Sequence, residues 1–296
     1  MLDAFLLQAG YNATLVTLGA AALGAASGAV GAFLFLRRRA LMPDAMAHAT
    51  LPGLGIAFLL MAAFGGDGRF LPGLLLGAGL SAVIGLWVLQ RLARGTRLPE
   101  DAAIGIVLSV SYGAGIVVLT LVQGLSMGRP AGLEGFLLGS ASGMLASDAQ
   151  MIGGGAVVAI GVLVLLRRVL VMVAFDPAHA RVVGIDTGKV DLALMALVLG
   201  VVLLGLRVVG AILIVALLIA PAAAARMWTN RAGLMAVIAA GIGAGAGYAG
   251  AALSASLPNL PTGPVIVLLA FGAFVFSLAF GTARGLLARN RSGQAP

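Results

Sequence analysis

The chain has 296 residues, 61% of them hydrophobic and 9% charged, with a mean hydropathy of +1.13. A water-soluble domain carries about 25% charged residues, so this composition excludes one and points to a polytopic chain dissolved in lipid. The net charge of +8 does not indicate nucleic acid, because the basic residues sit at the ends of apolar segments, and the lack of cysteine removes disulfides and thiolate metal sites.

A hydrocarbon core about 30 Å thick needs roughly 20 apolar residues of helix. That measure predicts an all-α chain in a single membrane domain over 1–296, with about nine spans. They cover residues 11–36, 41–64, 71–93, 101–122, 147–167, 189–206, 208–227, 232–254 and 262–282. No basic n-region or cleavage site precedes the first, so no removable signal peptide is expected. With the N-terminus placed outside and the C-terminus inside, only Arg69, Arg129 and Arg207 of the 18 basic residues fall on the outer side. The positive-inside bias favours that orientation.

The first span ends at Arg37-Arg38-Arg39, and the chain turns back into "MPDAMAHATLPG" at 42–53. Pro43 suits the first position of a helix, where its missing N–H costs nothing. Asp44 follows in the first turn, where the helix dipole favours a carboxylate. Asp44 and His48 are then four residues apart, on one face and within reach of one ligand. Pro52 and Gly53 predict an interruption of this helix. Irregular backbone at membrane depth belongs where protein or a watery cavity covers it, and an ionisable pair beside it marks a functional site.

Imidazole with carboxylate suits Zn²⁺, Mn²⁺ or Fe²⁺. Two ligands hold a metal weakly, but a two-fold homodimer would bring two such pairs to its axis. A weak shared site suits conduction, because the ion must leave again. On chemistry alone, the alternative is that Asp44 and His48 hydrogen-bond each other or a neighbouring helix.

Further along, 124–146 is too broken by Gly and Pro to span, and reads as an outer loop with a short interfacial or half-membrane helix. The polar stretch 175–191, "FDPAHARVVGIDTGKVD", opens with Asp176-Pro177 as a helix start. A short helix over 178–183 would end at Gly184, forming either a docking element or an ordinary connector. Arg207 precedes a long uncharged run and is expected to snorkel to the outer interface. In "GIGAGAGYAG" at 241–250, the pairs Gly241/Gly245 and Gly243/Gly247 predict close helix packing. Lys189 is the only lysine, and "GIDTGKV" lacks the spacing and hydroxyl of a phosphate loop. HExxH and EF-hand patterns are absent and no nucleophile–base pair is spelled out, so nothing in the sequence reads as an enzyme.

Three ordered motifs give the chain a resemblance to the membrane subunits of ABC importers for zinc, manganese and iron. "RRRALMPDAMAHATLPGLGIAF" at 37–58 resembles the family's basic cluster followed by D-A-x-x-H-A-x-L-P-G. "FDPAHARVVGID" at 175–186 resembles its F-D-P-x-x-A-x-x-x-G segment, and "LRVVGAILIVALLIAPAAAARMWT" at 206–229 its V-G-x-L-L-x-x-A-L-L-x-x-P-A-x-x-A run. "GFLLGSASGM" at 135–144 is a weaker fourth match.

The resemblance implies a type II importer-like permease in a prokaryotic cytoplasmic membrane. Its partners would be a second copy, two cytoplasmic ATP-binding subunits and an extracytoplasmic metal-binding protein. The chain itself would bind no cofactor; ATP would be held by the partner subunit, and a divalent ion would be the cargo. Asp44 and His48 fall on the family's metal-contacting positions. The segment of about 175–189 falls on its coupling helix, with Phe175, Asp176, Pro177, Ala180 and Gly184 on the motif. His179 lies at a variable position and reads as interfacial, and Glu134 and Asp148 are outer-side candidates for steering cations or meeting the binding protein. Where the family usually has Gly before the Asp and often Ser before the His, this chain has Pro43 and Ala47, which removes a supplementary oxygen donor. Two other readings remain open at this point: an importer of a chelated or organic substrate, and a stand-alone ion-gradient transporter.

Overall fold

Lipid cannot hydrogen-bond a backbone, so a chain this apolar must satisfy its N–H and C=O groups within helices. The computed structural model describes residues 5–8, 10–66, 70–124, 144–206, 210–257 and 260–287. Its helices are α1 (Tyr11–Leu36), α2 (Met42–Ala63), α3 (Leu71–Gly95), α4 (Glu100–Gly124), α5 (Ala146–Phe175), α6 (Pro177–Val182), α7 (Thr187–Gly205), α8 (Ala211–Trp228), α9 (Ala232–Ser256) and α10 (Thr262–Phe280). No strand occurs among the described residues. Each expected span falls on a helix, and eight of these are long and apolar enough to cross a membrane. The ninth, α8, is apolar and shorter, over Ile214–Trp228. Most of the loop expected over 124–146 lies outside the described residues, as do Arg69, Arg129, Glu134 and Arg207.

The helix α5 continues about two turns past its expected end at residue 167. Its 30 residues make a rod about 45 Å long, well beyond a core of about 30 Å. It can therefore carry the chain out of the hydrocarbon before α6 begins.

The centre of the molecule is α1, whose Leu23, Val30, Phe33 and Leu34 are buried. Small residues let its neighbours approach. A Cβ on Gly24 would lie 2.1 Å from the Gly243 carbonyl oxygen, one on Gly28 2.1 Å from that of Ala239, and one on Gly247 2.3 Å from that of Ala20. Positions rise along α1 as they fall along α9, so the two helices are antiparallel. The glycine run of α9 therefore has one contact face: Gly243 and Gly247 make the close approach, whereas Gly241 and Gly245 face open space. The outer surfaces of α3, α4, α5 and α10 expose Leu80, Val110, Leu165 and Leu268, which suits a lipid solvent.

The expected break at Pro52-Gly53 does not occur. Helix α2 runs unbroken from Met42 to Ala63 with Pro52 inside it. Pro52 cannot donate to the His48 carbonyl one turn back, but helix neighbours on both sides sustain the remaining ladder. Gly53 is a packing residue: a Cβ there would lie 2.1 Å from the Gly77 carbonyl oxygen of α3. On the α4 side, a Cβ on Gly115 would come within 2.6 Å of Leu51. Thus α2 is clamped between α3 and α4 at Leu51 and Gly53, one turn beyond His48.

Candidate metal site

Pro43 is buried in the first turn of α2, and Asp44 is the acidic residue of that turn. One turn on, the His48 Nε2 lies 3.4 Å from the Asp44 Oδ1. That is long for a hydrogen bond. It is close to the separation of roughly 3.3 Å between two ligands on one tetrahedral metal, given metal–ligand bonds of about 2.0–2.1 Å. The Asp44 side chain is 37% exposed and that of His48 14%, so the pair opens from α2 while the imidazole is largely covered. Tyr112 of α4 meets the imidazole edge to face, with ring centroids 5.2 Å apart. The His48 Nδ1 is buried without a hydrogen-bond partner. Among the described residues, no group of three or more His, Asp or Glu side chains gathers to hold a metal. The described residues thus bring two donors together here, Asp44 and His48. Ala47 is fully buried, pointing into the core rather than towards the opening beside Asp44.

The polar stretch after α5 folds as its residues dictate. The Asp176 Oδ1 accepts the His179 N–H at 2.8 Å, capping α6, and Pro177 is its first residue. Gly184 adopts φ +86°, where a side chain would be strained, and its N–H donates to the Arg181 carbonyl. The Ile185 N–H donates to the Ala180 carbonyl, completing the stop. Ala180 is fully buried and seats the helix, while Phe175, Val182 and Val183 are exposed at 58%, 85% and 57%. His179 is exposed as well. An apolar knob therefore projects from a polar end of the molecule.

An ion-pair cluster at the same end escaped the sequence reading. The Arg37 Nη2 donates to both Asp191 carboxylate oxygens, at 2.7 and 2.8 Å, and its Nη1 donates to the Val173 carbonyl at 2.7 Å. The Arg39 Nη1 lies 3.3 Å from Asp191, and its Nε lies 3.1 Å from Glu100. In the sequence the arginines signalled only topology, and a single Asp on an apolar helix gave no clue to its partners. Asp148 also differs from its expected role. It is 3% exposed, and its Oδ2 accepts the Leu145 N–H at 2.8 Å, so it caps α5 rather than facing outer solution as a steering charge.

Residues 11–281 match the ABC 3 transport family. The chain belongs to that family. It is therefore a membrane permease of the ABC transporter class, and its relatives share nearly its whole length. It is 39% identical to the manganese transport system membrane protein MntC of Bacillus subtilis, over 94% of this chain and 63% of that protein. Against the zinc transport system membrane protein TroC of Treponema pallidum it is 42% identical, over 94% of this chain and 91% of that protein. Among solved structures it resembles PsaBC from Streptococcus pneumoniae in complex with Fab. The TM-score is 0.83 with 27% identity, covering 99% of each chain. The ABC 3 permease described here spans less than two thirds of the Bacillus subtilis relative's length.

Proposed function

We propose that this ABC 3 permease carries divalent transition-metal ions, Zn²⁺, Mn²⁺ or Fe²⁺, inward across a prokaryotic cytoplasmic membrane. The observation that carries the proposal is the Asp44–His48 pair, 3.4 Å apart and open on one side. The relatives named for manganese and zinc transport support the same cargo class. Two donors from one chain hold an ion loosely, and a second copy related by a two-fold axis adds two more. Neutral imidazole and carboxylate bind these ions without the thiolates that would retain them. Release is part of the task, so modest affinity is an advantage.

Energy comes from ATP hydrolysed in partner subunits, which dock on α6 from the cytoplasmic side. The exposed Phe175, Val182 and Val183 suit a groove on such a partner. An extracytoplasmic metal-binding protein delivers the ion at the opposite end, and the C-terminus lies inside the cell. The test is metal flux into liposomes holding the permease alone, or the permease with its ATP-binding subunits and binding protein. Flux confined to the complete system and dependent on ATP is the expected result. Flux through the permease alone, driven by an ion gradient, would contradict it.

A further inference from the structure

The ion cluster at the inner end touches every element that flanks the coupling segment. Val173 lies in the last turn of α5, two residues before Phe175. Asp191 lies in the second turn of α7, just after the Asp186 cap that accepts the Gly188 and Lys189 N–H groups. Arg37 binds both, so one guanidinium bridges the two helices between which α6 is slung. Arg39 connects the same carboxylate to Glu100, the first residue of α4, the helix that carries Tyr112. Asp191 is 7% exposed, which shields its pair with Arg37 from water.

Between the two arginines, Arg38 has φ +57°, a left-handed conformation unusual for a residue with a side chain. The turn is fixed on both sides: the Arg39 N–H donates to the Leu34 carbonyl, and the Met42 N–H donates to the Arg39 carbonyl. Met42 begins α2, and Asp44 follows two residues later. A rigid, strained turn thus joins a buried charge cluster to the helix that bears the metal ligands.

We infer that Asp191, Arg37 and Arg39 are the link that carries movement of the coupling helix to the Asp44–His48 turn. They are positioning residues, acting on the ligands through the Arg37–Arg39 turn without touching the ion. When α6 is displaced, α5 and α7 move with it, and the cluster transfers that displacement to the start of α2 and to α4. This inference rests on the proposed function, so its test includes a readout that needs no cargo.

The experiment uses the permease assembled with its ATP-binding subunits in lipid, as wild type, Asp191→Asn, Asp191→Glu and Arg39→Gln. Because the chain contains no cysteine, single cysteines introduced at Leu41 and at the exposed Lys189 of α7 accept spin labels without background from the permease itself. In wild type, nucleotide binding should shift the label distances between the two permease copies at both positions. In Asp191→Asn and Arg39→Gln the shift at position 189 should persist while that at 41 is lost, and Asp191→Glu should restore at least half of it.

In transport, ATP hydrolysed per ion imported should rise at least tenfold in both uncoupled variants, with hydrolysis itself within twofold of wild type. A uniform fall in assembly, hydrolysis and uptake that keeps their ratios would mean a structural staple only, and would overturn the inference. Unchanged label shifts at 41 in both variants would do the same. If Asp191→Asn fails to assemble, Arg39→Gln decides the matter, since it keeps the Arg37–Asp191 pair. A wild type that moves both labels with nucleotide but imports no metal would reject the proposed cargo and leave the link intact.

Discussion

At the residue scale, the Asp44–His48 pair shows how little is needed to make a polar opening in an apolar helix. The spacing was legible because i and i+4 side chains share a helix face wherever the helix lies. Pro52 shows the opposite case. Its missing N–H made it read as a break, yet α2 continues because α3 and α4 clamp it at Gly53 and Leu51. The consequence falls on the site, since the carbonyl that loses its helical donor belongs to His48. Pro52→Ala restores that donor and should leave the melting temperature in detergent unchanged or raise it. Metal uptake should fall several-fold, because the turn bearing His48 loses its local freedom. Uptake at the wild-type level with the same melting temperature would show that the proline has no part in the site.

The partners of Asp191 could not be read from the sequence, because pairing across 154 positions leaves no local pattern. Breaking such a buried pair by Asp191→Ala strands Arg37 against the Val173 carbonyl and should destabilise the chain by about 3–5 kcal/mol. Thermal unfolding in detergent measures this, and a loss below 1 kcal/mol would mean that water reaches the cluster.

At the scale of elements, the glycines of α9 separate into two classes by what they face. Gly243→Val places a side chain against the Gly24 carbonyl and should prevent the α1–α9 contact, lowering the yield of folded protein sharply. Gly245→Ala meets open space and adds helix propensity, a gain of up to about 1 kcal/mol. Size-exclusion profiles and melting curves of the two variants should differ accordingly; equal behaviour would contradict the packing. The sequence revealed the repeat of small residues but not which face would meet α1, since both pairs have the same spacing.

The short helix α6 was more legible, because caps are local chemistry. Asp176-Pro177 and Gly184 set its ends without reference to the rest of the chain. Gly184→Leu forces a branched side chain into φ +86°, at a cost of roughly 1–2 kcal/mol. Co-purification of the ATP-binding subunit should drop with it, and undiminished co-purification would argue against α6 as the docking element.

At the scale of the whole molecule, the helices form a bundle whose arginine-bearing end holds the Arg37–Asp191 cluster, α6 and the start of α2. Span positions were readable because lipid requires long apolar helices, and family membership was readable from motifs at three of the helix ends and turns. The proposed orientation rests on the distribution of arginines and is open to a direct check. A cysteine at Val182 should react with a membrane-impermeant thiol reagent only in inside-out vesicles, and one at Phe64 only in intact cells. Both positions are exposed, at 85% and 89%. Reversed labelling would invert the topology and with it the direction of transport.

The central claim is that ions pass between the Asp44–His48 pairs of an assembled permease. Its most direct measurement is ATP-driven metal uptake by complexes carrying Asp44→Ala or His48→Ala, beside wild type, with assembly and basal ATP hydrolysis monitored in the same preparations. Uptake should be abolished in both variants while assembly and hydrolysis persist. Wild-type uptake in either variant would contradict the account.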